Sequence, residues 1–185
     1  MSEKKQLTRI ILTNTKRVGE DYLKSLEFRN NGNYDRKPNY VILKNGEVIN
    51  TLKVGSSTNF FDEKKFNKNS IIICLENLGW VTKNTLSTTY SNWLGSKIEK
   101  VHERKWRDKF FWDVYTDEQM ETLVNLCLEI CEEHKIDKKF IGHNTLLPNI
   151  EKFSGIISRS NFSGQETDVS PSFNFAYLLE NFDYE

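Results

Sequence analysis

Histidine is the side chain most often used near pH 7 as a proton carrier or a neutral metal ligand, and this sequence contains three. His143 follows the motif FIG, which we interpret as a short strand that delivers the imidazole to the end of a sheet. His102 lies close to Trp106 in an aromatic segment. His134 ends a predicted helix, where an imidazole complements the helix dipole, so we interpret it as structural. We therefore expect any chemistry around His143.

Three cysteines, Cys74, Cys127 and Cys131, could act as nucleophiles or metal ligands. They lie inside apolar patterns, are odd in number and lack the CxxC spacing of structural zinc sites. No base that could activate a thiol lies near them in the sequence. We predict three buried, reduced thiols, with a catalytic cysteine as the alternative.

An aromatic segment, about residues 80–115, contains all four tryptophans, and basic residues alternate with its rings. Aromatic faces beside cations are typical of surfaces that bind carbohydrate or nucleic acid. The interpretation we favour is that an insertion builds a small core of its own, because each aromatic side chain buries a large area. The candidate ligand-binding residues in and beside this segment are Asn77, Trp80 and Trp93.

Strands must hold these residues in place, and apolar runs indicate where the strands lie. Residues 7–13 are rich in β-branched and apolar side chains and fit a buried strand. Residues 70–75 form a continuous apolar run with the composition of a strand in the middle of a sheet. The dipeptide Asn45-Gly46 lies between two further apolar runs and predicts a hairpin with a type I′ turn. We interpret residues 149–166 as a loop.

Segments in which apolar residues recur at helical spacing lie between these predicted strands. This spacing predicts one helix over Val18–Asn30 and a longer one that begins at Thr116, which can form a capping box with Gln119. A last short helix is predicted within 171–182. The pattern favours an α/β fold, with a central mixed β-sheet flanked by helices.

Length and charge limit the function further. The 185 residues fit a single domain, 1–185, with the aromatic insertion at about 80–115. Lys plus Arg and Asp plus Glu both number 26, so we expect neither nucleic acid nor membrane as a partner. The N-terminal apolar run is too short for a secretory signal, which predicts synthesis in the cytoplasm.

Six motifs occur in an order that resembles a known family. They are the strand IIL at 10–12, the hairpin of 40–48, SIIICLEN at 70–77, YTDEQ at 115–119, IGHN at 141–144 and TDVSPSF at 167–173. This order is similar to the zinc-dependent N-acetylmuramoyl-L-alanine amidases, which include phage lysozymes of the amidase type and peptidoglycan recognition proteins. The resemblance implies their mixed sheet, a groove for peptidoglycan, and hydrolysis of the amide between muramic acid and L-alanine.

The resemblance also implies a zinc site with three protein ligands. By position, His143 matches the second ligand and Asp168 the third. The first ligand, a histidine at the end of strand one, is replaced by Thr13, whose neutral hydroxyl is a poor zinc ligand. We therefore expect weak or absent zinc binding, with His102 as a candidate replacement ligand.

Further positions of the resemblance concern catalysis. The residue two before the third ligand, often a cation that stabilises the oxyanion, is Glu166 here. A tyrosine that assists catalysis in some phage relatives is replaced by Pro38 here. Glu76 follows the apolar run of 70–75, where some members place an acidic residue that assists the water, and a solvated carboxylate is the alternative.

Together these residues predict an amidase-like domain that binds peptidoglycan or its stem peptide, with weakened or lost hydrolysis. One alternative is an active zinc amidase with a rewired ligand. Another is a phage virion structural protein or a regulator of a host protein, with phage or host proteins as partners. The phage particle or the cell wall are then alternative locations.

Overall fold

The computed structural model describes residues 6–184, and their strands form two sheets. The strands are β1 (Arg9–Asn14), β2 (Tyr40–Ile42), β3 (Val48–Asn50), β4 (Ser70–Leu75), β5 (Trp80–Lys83), β6 (Tyr90–Ser91), β7 (Lys97–Ile98), β8 (Val101–Trp106), β9 (Lys109–Asp113), β10 (Lys139–Phe140), β11 (Gly155–Ser158) and β12 (Asp183–Tyr184). The α-helices are α1 (Gly19–Phe28), α2 (Asp117–His134) and α3 (Phe175–Leu179). Within this range no helix is long and apolar enough to cross a membrane.

The larger sheet has seven strands in the order β12-β10-β11-β1-β4-β2-β3. Its pairs are parallel except for the β2–β3 hairpin, so the predicted mixed α/β sheet is confirmed. β1 occupies the middle position, whereas the sequence favoured β4 for that place. Both strands are buried along their whole length, and for this reason their composition cannot distinguish them.

Alternate residues of β1 pack into two cores, one on each face of the sheet. Ile10 and Leu12 join the larger core, to which α2 contributes Leu123. Ile11 joins the smaller core on the other face, with Phe61 among its members. This alternation follows from the two-residue period of a strand, and it determines which side chains face the same way at the strand's end.

The long helix α2 begins where the sequence predicts. The Thr116 hydroxyl accepts a hydrogen bond from the Gln119 backbone N–H at 3.2 Å. The Gln119 side chain does not return to Thr116; it donates to the Ile42 carbonyl at 2.9 Å. Only half of the capping box therefore forms, and Gln119 instead ties the helix to β2.

The predicted hairpin joins β2 to β3, but its turn is not type I′. Type I′ requires positive φ at both central residues, and of the Asn45-Gly46 pair only Gly46 has it, at 83°. The Gly46 N–H donates to the Leu43 carbonyl at 3.0 Å, so the turn spans four residues and Gly46 follows its two central positions. The positive φ explains why a glycine is needed at this position. The type I′ prediction placed Gly46 one position earlier in the turn than the structure does.

The aromatic segment forms the second sheet, five strands in the order β7-β6-β5-β9-β8. Trp112 is fully buried and packs against Trp106, with ring centroids 5.5 Å apart. An ion pair between Lys44 and the buried carboxylate of Asp113, 2.6 Å long, joins this sheet to the β2–β3 hairpin.

The remaining difference is β11, Gly155–Ser158, which lies inside the segment interpreted from sequence as a loop. It pairs in parallel with β1, with Leu12 opposite Ser158. β10, the strand that precedes His143, is therefore one position further from the middle of the sheet.

Candidate functional site

Thr13 and Asp168 meet at the carboxyl end of β1. The Thr13 hydroxyl donates to Asp168 Oδ2, and the backbone N–H of Asn14 lies 3.4 Å from the same oxygen. The Asp168 side chain is fully buried. The backbone carbonyl of Asp168 accepts from the Ser160 N–H at 2.7 Å, so the loop after β11 fixes the residue from its other side. The predicted neighbourhood of Thr13 and Asp168 is thus present in the structure.

Two cations compensate the buried carboxylate. Lys16 Nζ lies 3.4 Å from Asp168 Oδ1, and Arg159 Nη1 lies 3.7 Å from Oδ2. Glu166 joins the group, because it accepts from Lys16 and lies 2.9 Å from Arg159 Nη2. We call Lys16, Arg159, Glu166 and Asp168 the ion-pair cluster. Composition alone could not reveal it, because its members are scattered over the chain.

Lys16 remains charged in this setting. Burial lowers the pKa of the Lys16 ammonium, but Asp168 and Glu166 more than offset this effect, so the pKa is raised above its usual value. The Lys16 side chain is about one-third exposed, at 32%, whereas Asp168 is inaccessible. The ammonium therefore lies between the buried carboxylate and the solvent.

Arg107, in the turn between β8 and β9, holds the loop that carries Glu166. Its guanidinium donates to the backbone carbonyls of Glu166, Ser163 and Ser160, the last two at 3.0 and 3.3 Å. Burial lowers the pKa of Arg107, and the nearby carboxylates act in the opposite direction. The second sheet is thereby joined directly to the site.

A cavity of about 430 Å³ opens beside the cluster. Its lining includes three cations, two carboxylates and one indole: Lys16, Arg107, Lys109, Asp108, Glu166 and Trp80. Lys109 Nζ lies 4.0 Å from the centroid of the Trp80 ring. The cavity offers an aromatic face next to several hydrogen-bond donors, which suits a ligand with oxygen acceptors.

His143 is not brought to this point. It follows β10, which β11 separates from β1, so two strand spacings of about 5 Å each lie between them. His143 Nδ1 accepts from the Thr145 backbone N–H at 3.2 Å. The side chain at the end of the strand beside β1 is Arg159 instead. The sequence pattern predicts no strand before Arg159, so its place beside β1 is not apparent from the sequence.

Two further candidates have structural contacts. The Glu76 carboxylate accepts backbone N–H groups of Gly19 at 2.8 Å and Lys44 at 3.0 Å, so it joins the start of α1 to the hairpin. The Glu76 carboxylate is therefore not a free, solvated group. Within residues 6–184 no hydrogen bond joins it to Asp168. Asn77 is fully buried and its amide bonds to backbone atoms of Asp113 and Gly79, so it does not line the cavity.

The candidates in the second sheet separate into two groups. Trp80 lines the cavity, whereas Trp93, 62% exposed, does not. His102 lies on the edge strand β8 opposite Trp112, and its Nε2 is buried without a hydrogen-bond partner. No hydrogen bond or ion pair within residues 6–184 links His102 to Asp168. Pro38 precedes β2, where its carbonyl accepts from the Thr51 hydroxyl at 2.7 Å.

The residues at the end of β1 do not fit a zinc ion. A catalytic zinc site needs three protein ligands from His, Cys, Asp or Glu, and no group of three such residues in the described chain could hold a metal. Asp168 already contacts two cations and a hydroxyl, and Glu166 pairs with the same two cations. A divalent ion there would be repelled by Lys16 and Arg159.

Comparison with known proteins agrees with this fold. The sequence model of N-acetylmuramoyl-L-alanine amidases matches residues 3–155. No protein of curated function matches the sequence significantly.

Among solved structures, AmiD of E. coli, complexed with anhydro-N-acetylmuramic acid-L-Ala-D-gamma-Glu-L-Lys, has 14% identity and a TM-score of 0.58 over 98% of this chain and 59% of its own. AmpDh3 of Pseudomonas aeruginosa, complexed with an anhydromuramic pentapeptide, has 14% identity and a TM-score of 0.61 over 98% and 62%. An AmpD structure has 13% identity and a TM-score of 0.52 over 97% and 87%. This chain thus spans about three fifths of the first two proteins.

Proposed function

Because the chain belongs to the N-acetylmuramoyl-L-alanine amidase family, we propose that it binds the stem peptide of peptidoglycan and has lost zinc-dependent hydrolysis. The cavity beside the ion-pair cluster is the proposed binding site. In this proposal the chain acts as a recognition module: it holds a muropeptide against Trp80 and the surrounding donors without cleaving its amide.

One observation carries the loss of hydrolysis. Asp168, the residue at the position of the third ligand, is fully buried and compensated by Lys16 and Arg159. Zinc hydrolysis depends on an ion that lowers the pKa of bound water to about 7. Without three ligands and with two cations in place, the site has no means of holding such an ion.

The binding half of the proposal is supported by the relatives and by the cavity. AmiD and AmpDh3 are both complexed with anhydromuramyl peptides. Such ligands carry several carbonyl and carboxylate oxygens, and the cavity presents Lys16, Arg107 and Lys109 to an occupant. Amide and carboxylate acceptors form their strongest hydrogen bonds with such cationic donors.

The alternative of an active amidase requires His102 as a ligand. His102 belongs to β8, opposite Trp112, and has no contact with Asp168 among the described residues. It would have to leave its strand position to reach the carboxylate. No particular contact among the described residues favours a role as a virion component or as a regulator of a host protein.

The test combines a binding and a cleavage measurement on the same protein. Calorimetry with anhydromuramyl-L-Ala-D-γ-Glu-L-Lys in EDTA is expected to give saturable binding. Mass spectrometry of purified sacculi incubated with the protein is expected to show no released stem peptide. Release at the rate of an amidase, abolished by a chelator, would show that hydrolysis survives, and absence of binding would reject the recognition role.

Two tryptophans provide a matched pair of variants. Trp80→Ala removes the indole that lines the cavity and is expected to weaken binding about tenfold, as truncation of a central aromatic contact does. Trp93→Ala removes an exposed indole outside the cavity and is expected to leave the affinity unchanged. Equal effects of the two substitutions would place the ligand elsewhere.

A further inference from the structure

Arg159 stands next to Thr13 at the end of the larger sheet. β1 and β11 pair in parallel with Leu12 opposite Ser158, so Arg159, the first residue after β11, follows next to Thr13. Because side chains alternate along strands, these two share one face. The contacts agree with this register, since both side chains approach the same oxygen, Asp168 Oδ2.

The ion-pair cluster is balanced in charge, with two cations and two carboxylates. Asp168 is fully buried, and a buried carboxylate without compensation strongly destabilises a fold. In a metal site the ion itself compensates the carboxylate ligand. Here Lys16 and Arg159 provide that compensation from the chain, at 3.4 and 3.7 Å from the two carboxylate oxygens.

Lys16 also faces the ligand cavity. An ammonium has three N–H donors. Glu166 accepts one, and Asp168 lies in ion-pair distance of a second. Lys16 itself lines the cavity, which the buried Asp168 does not. A third donor is therefore available for an oxygen of a molecule bound in the cavity.

We propose that Arg159 and Lys16 together replace the metal ion. Arg159 occupies the strand-end position beside Thr13, where a second ligand would be needed. Lys16 supplies the positive charge that faces the cavity, and it binds an acyl oxygen of the occupant. The part that concerns the occupant rests on the proposed binding of a stem peptide, whereas the replacement of the metal rests on the contacts of Asp168 alone.

Zinc uptake tests the metal replacement. Wild-type protein is purified without added zinc, dialysed against zinc-containing buffer and then dialysed against zinc-free buffer. It is expected to retain less than about one zinc ion per ten chains. Thr13→His/Arg159→His places two imidazoles beside Asp168 and removes one cation, and it is expected to retain about one equivalent. The matched control, Thr13→His/Arg104→His, adds the same two imidazoles but keeps Arg159, and it is expected to retain none.

Either of two results would overturn the replacement. One is stoichiometric zinc in the wild-type protein. The other is a folded Thr13→His/Arg159→His variant that takes up no zinc although circular dichroism matches the wild type. Should that variant unfold, the wild-type zinc content and the Lys16 variants below decide.

Ligand affinity tests the role of Lys16. With the anhydromuramyl tripeptide in EDTA, Lys16→Met is expected to bind about tenfold more weakly, because a charge-assisted hydrogen bond is lost. Lys16→Arg keeps the charge and is expected to recover part of that loss. Lys105→Met, an exposed lysine of β8, is the control and is expected to bind as the wild type does.

The outcomes separate the two proposals. If the wild type does not bind the tripeptide, the proposed function fails while the zinc measurement still decides the replacement. If the wild type binds and Lys16→Met binds equally well, the role of Lys16 is wrong. Lys16→Met/Glu166→Gln removes one charge of each sign, and it serves as the test variant should the single substitution unfold the protein.

Discussion

At the scale of single residues, the buried Asp168 carboxylate is a point where several contacts of the site converge. Thr13, Lys16 and Arg159 all reach its carboxylate. Removing one partner of a buried charge network destabilises a protein more than removing an exposed pair, because the remaining charges stay desolvated.

The first prediction follows from this contrast. Asp168→Asn leaves Lys16 and Arg159 with one carboxylate and is expected to lower the free energy of unfolding by about 3 kcal/mol. Asp62→Asn, in an exposed pair with Arg36, is the matched control and is expected to change it by less than about 0.5 kcal/mol. Urea denaturation at pH 7 measures both. Equal midpoints for the two variants would contradict the buried network.

The cysteines give a second prediction at this scale. All three are free and buried. Burial raises the pKa of Cys74 to about 12 and that of Cys131 to about 11 from an ordinary 9.0. Native protein is therefore expected to resist alkylation at pH 8.5, whereas protein in urea exposes three reactive thiols.

The same thiols predict the direction of the stability change in alkali. Above pH 9 the unfolded chain loses thiol protons that the native chain keeps, so the free energy of unfolding falls as pH rises toward 11 to 12. For Cys74 the slope is about 1.4 kcal/mol per pH unit. Urea titrations between pH 8 and 11 measure this slope, and Cys74→Ala should reduce it. A slope unchanged by that substitution would exclude the thiol as its source.

Part of this site is predictable from the sequence for a physical reason. A continuous β-branched run marks a buried strand, and Thr13 lies at its end, so its position next to Asp168 could be expected from the resemblance. Arg159 could not, because β11 contains only two strongly apolar residues, both isoleucines, between Gly155 and Ser158. A run of that length shows no measurable period.

At the scale of elements, the turn between β8 and β9 links the second sheet to the larger one through the contacts of Arg107. Arg107 and Asp108 both have positive φ, 47° and 60°, which is the backbone of a type I′ turn formed without glycine. This turn aims the Arg107 guanidinium at three carbonyls of the loop before Asp168.

The third prediction concerns that loop. Arg107→Ala removes its three backbone contacts, so amide hydrogens of residues 160–167 are expected to exchange at least about tenfold faster, as local opening becomes easier. Arg104→Ala, which changes an exposed arginine of β8, is expected to leave the exchange unchanged. Hydrogen–deuterium exchange followed by mass spectrometry measures both. Loop protection that survives Arg107→Ala would mean that other contacts hold it.

The elements with strong local signals were predictable. α2 combines an N-cap with a long apolar face, and the β2–β3 hairpin contains Asn-Gly, so both lie where the sequence places them. The predicted type of the hairpin turn was wrong, because Gly46 has positive φ and Asn45 does not. Which turn type forms depends on the twist of both strands. Strand order likewise depends on tertiary packing, which no local pattern encodes.

At the scale of the whole molecule, the proposed replacement of the metal by the ion-pair cluster implies a stability that does not depend on metal. A ligand that binds only the native state raises its melting temperature, and removing such a ligand lowers it. The fourth prediction is that EDTA and a tenfold excess of zinc each change the melting temperature by less than about 1 °C. Differential scanning calorimetry measures this shift, and a chelator-induced fall of several degrees would show a structural metal.

The arrangement of Thr13, Arg159 and Asp168 also limits how this chain could gain a metal site. Under the proposed replacement, an imidazole at Thr13 alone would lie beside a guanidinium, while removing Arg159 alone leaves the two carboxylates with a single cation. Because contacting residues have non-additive effects on stability, we expect that two coordinated substitutions are needed before a metal binds. The cluster would then act as an epistatic barrier to the gain of metal chemistry by single substitutions.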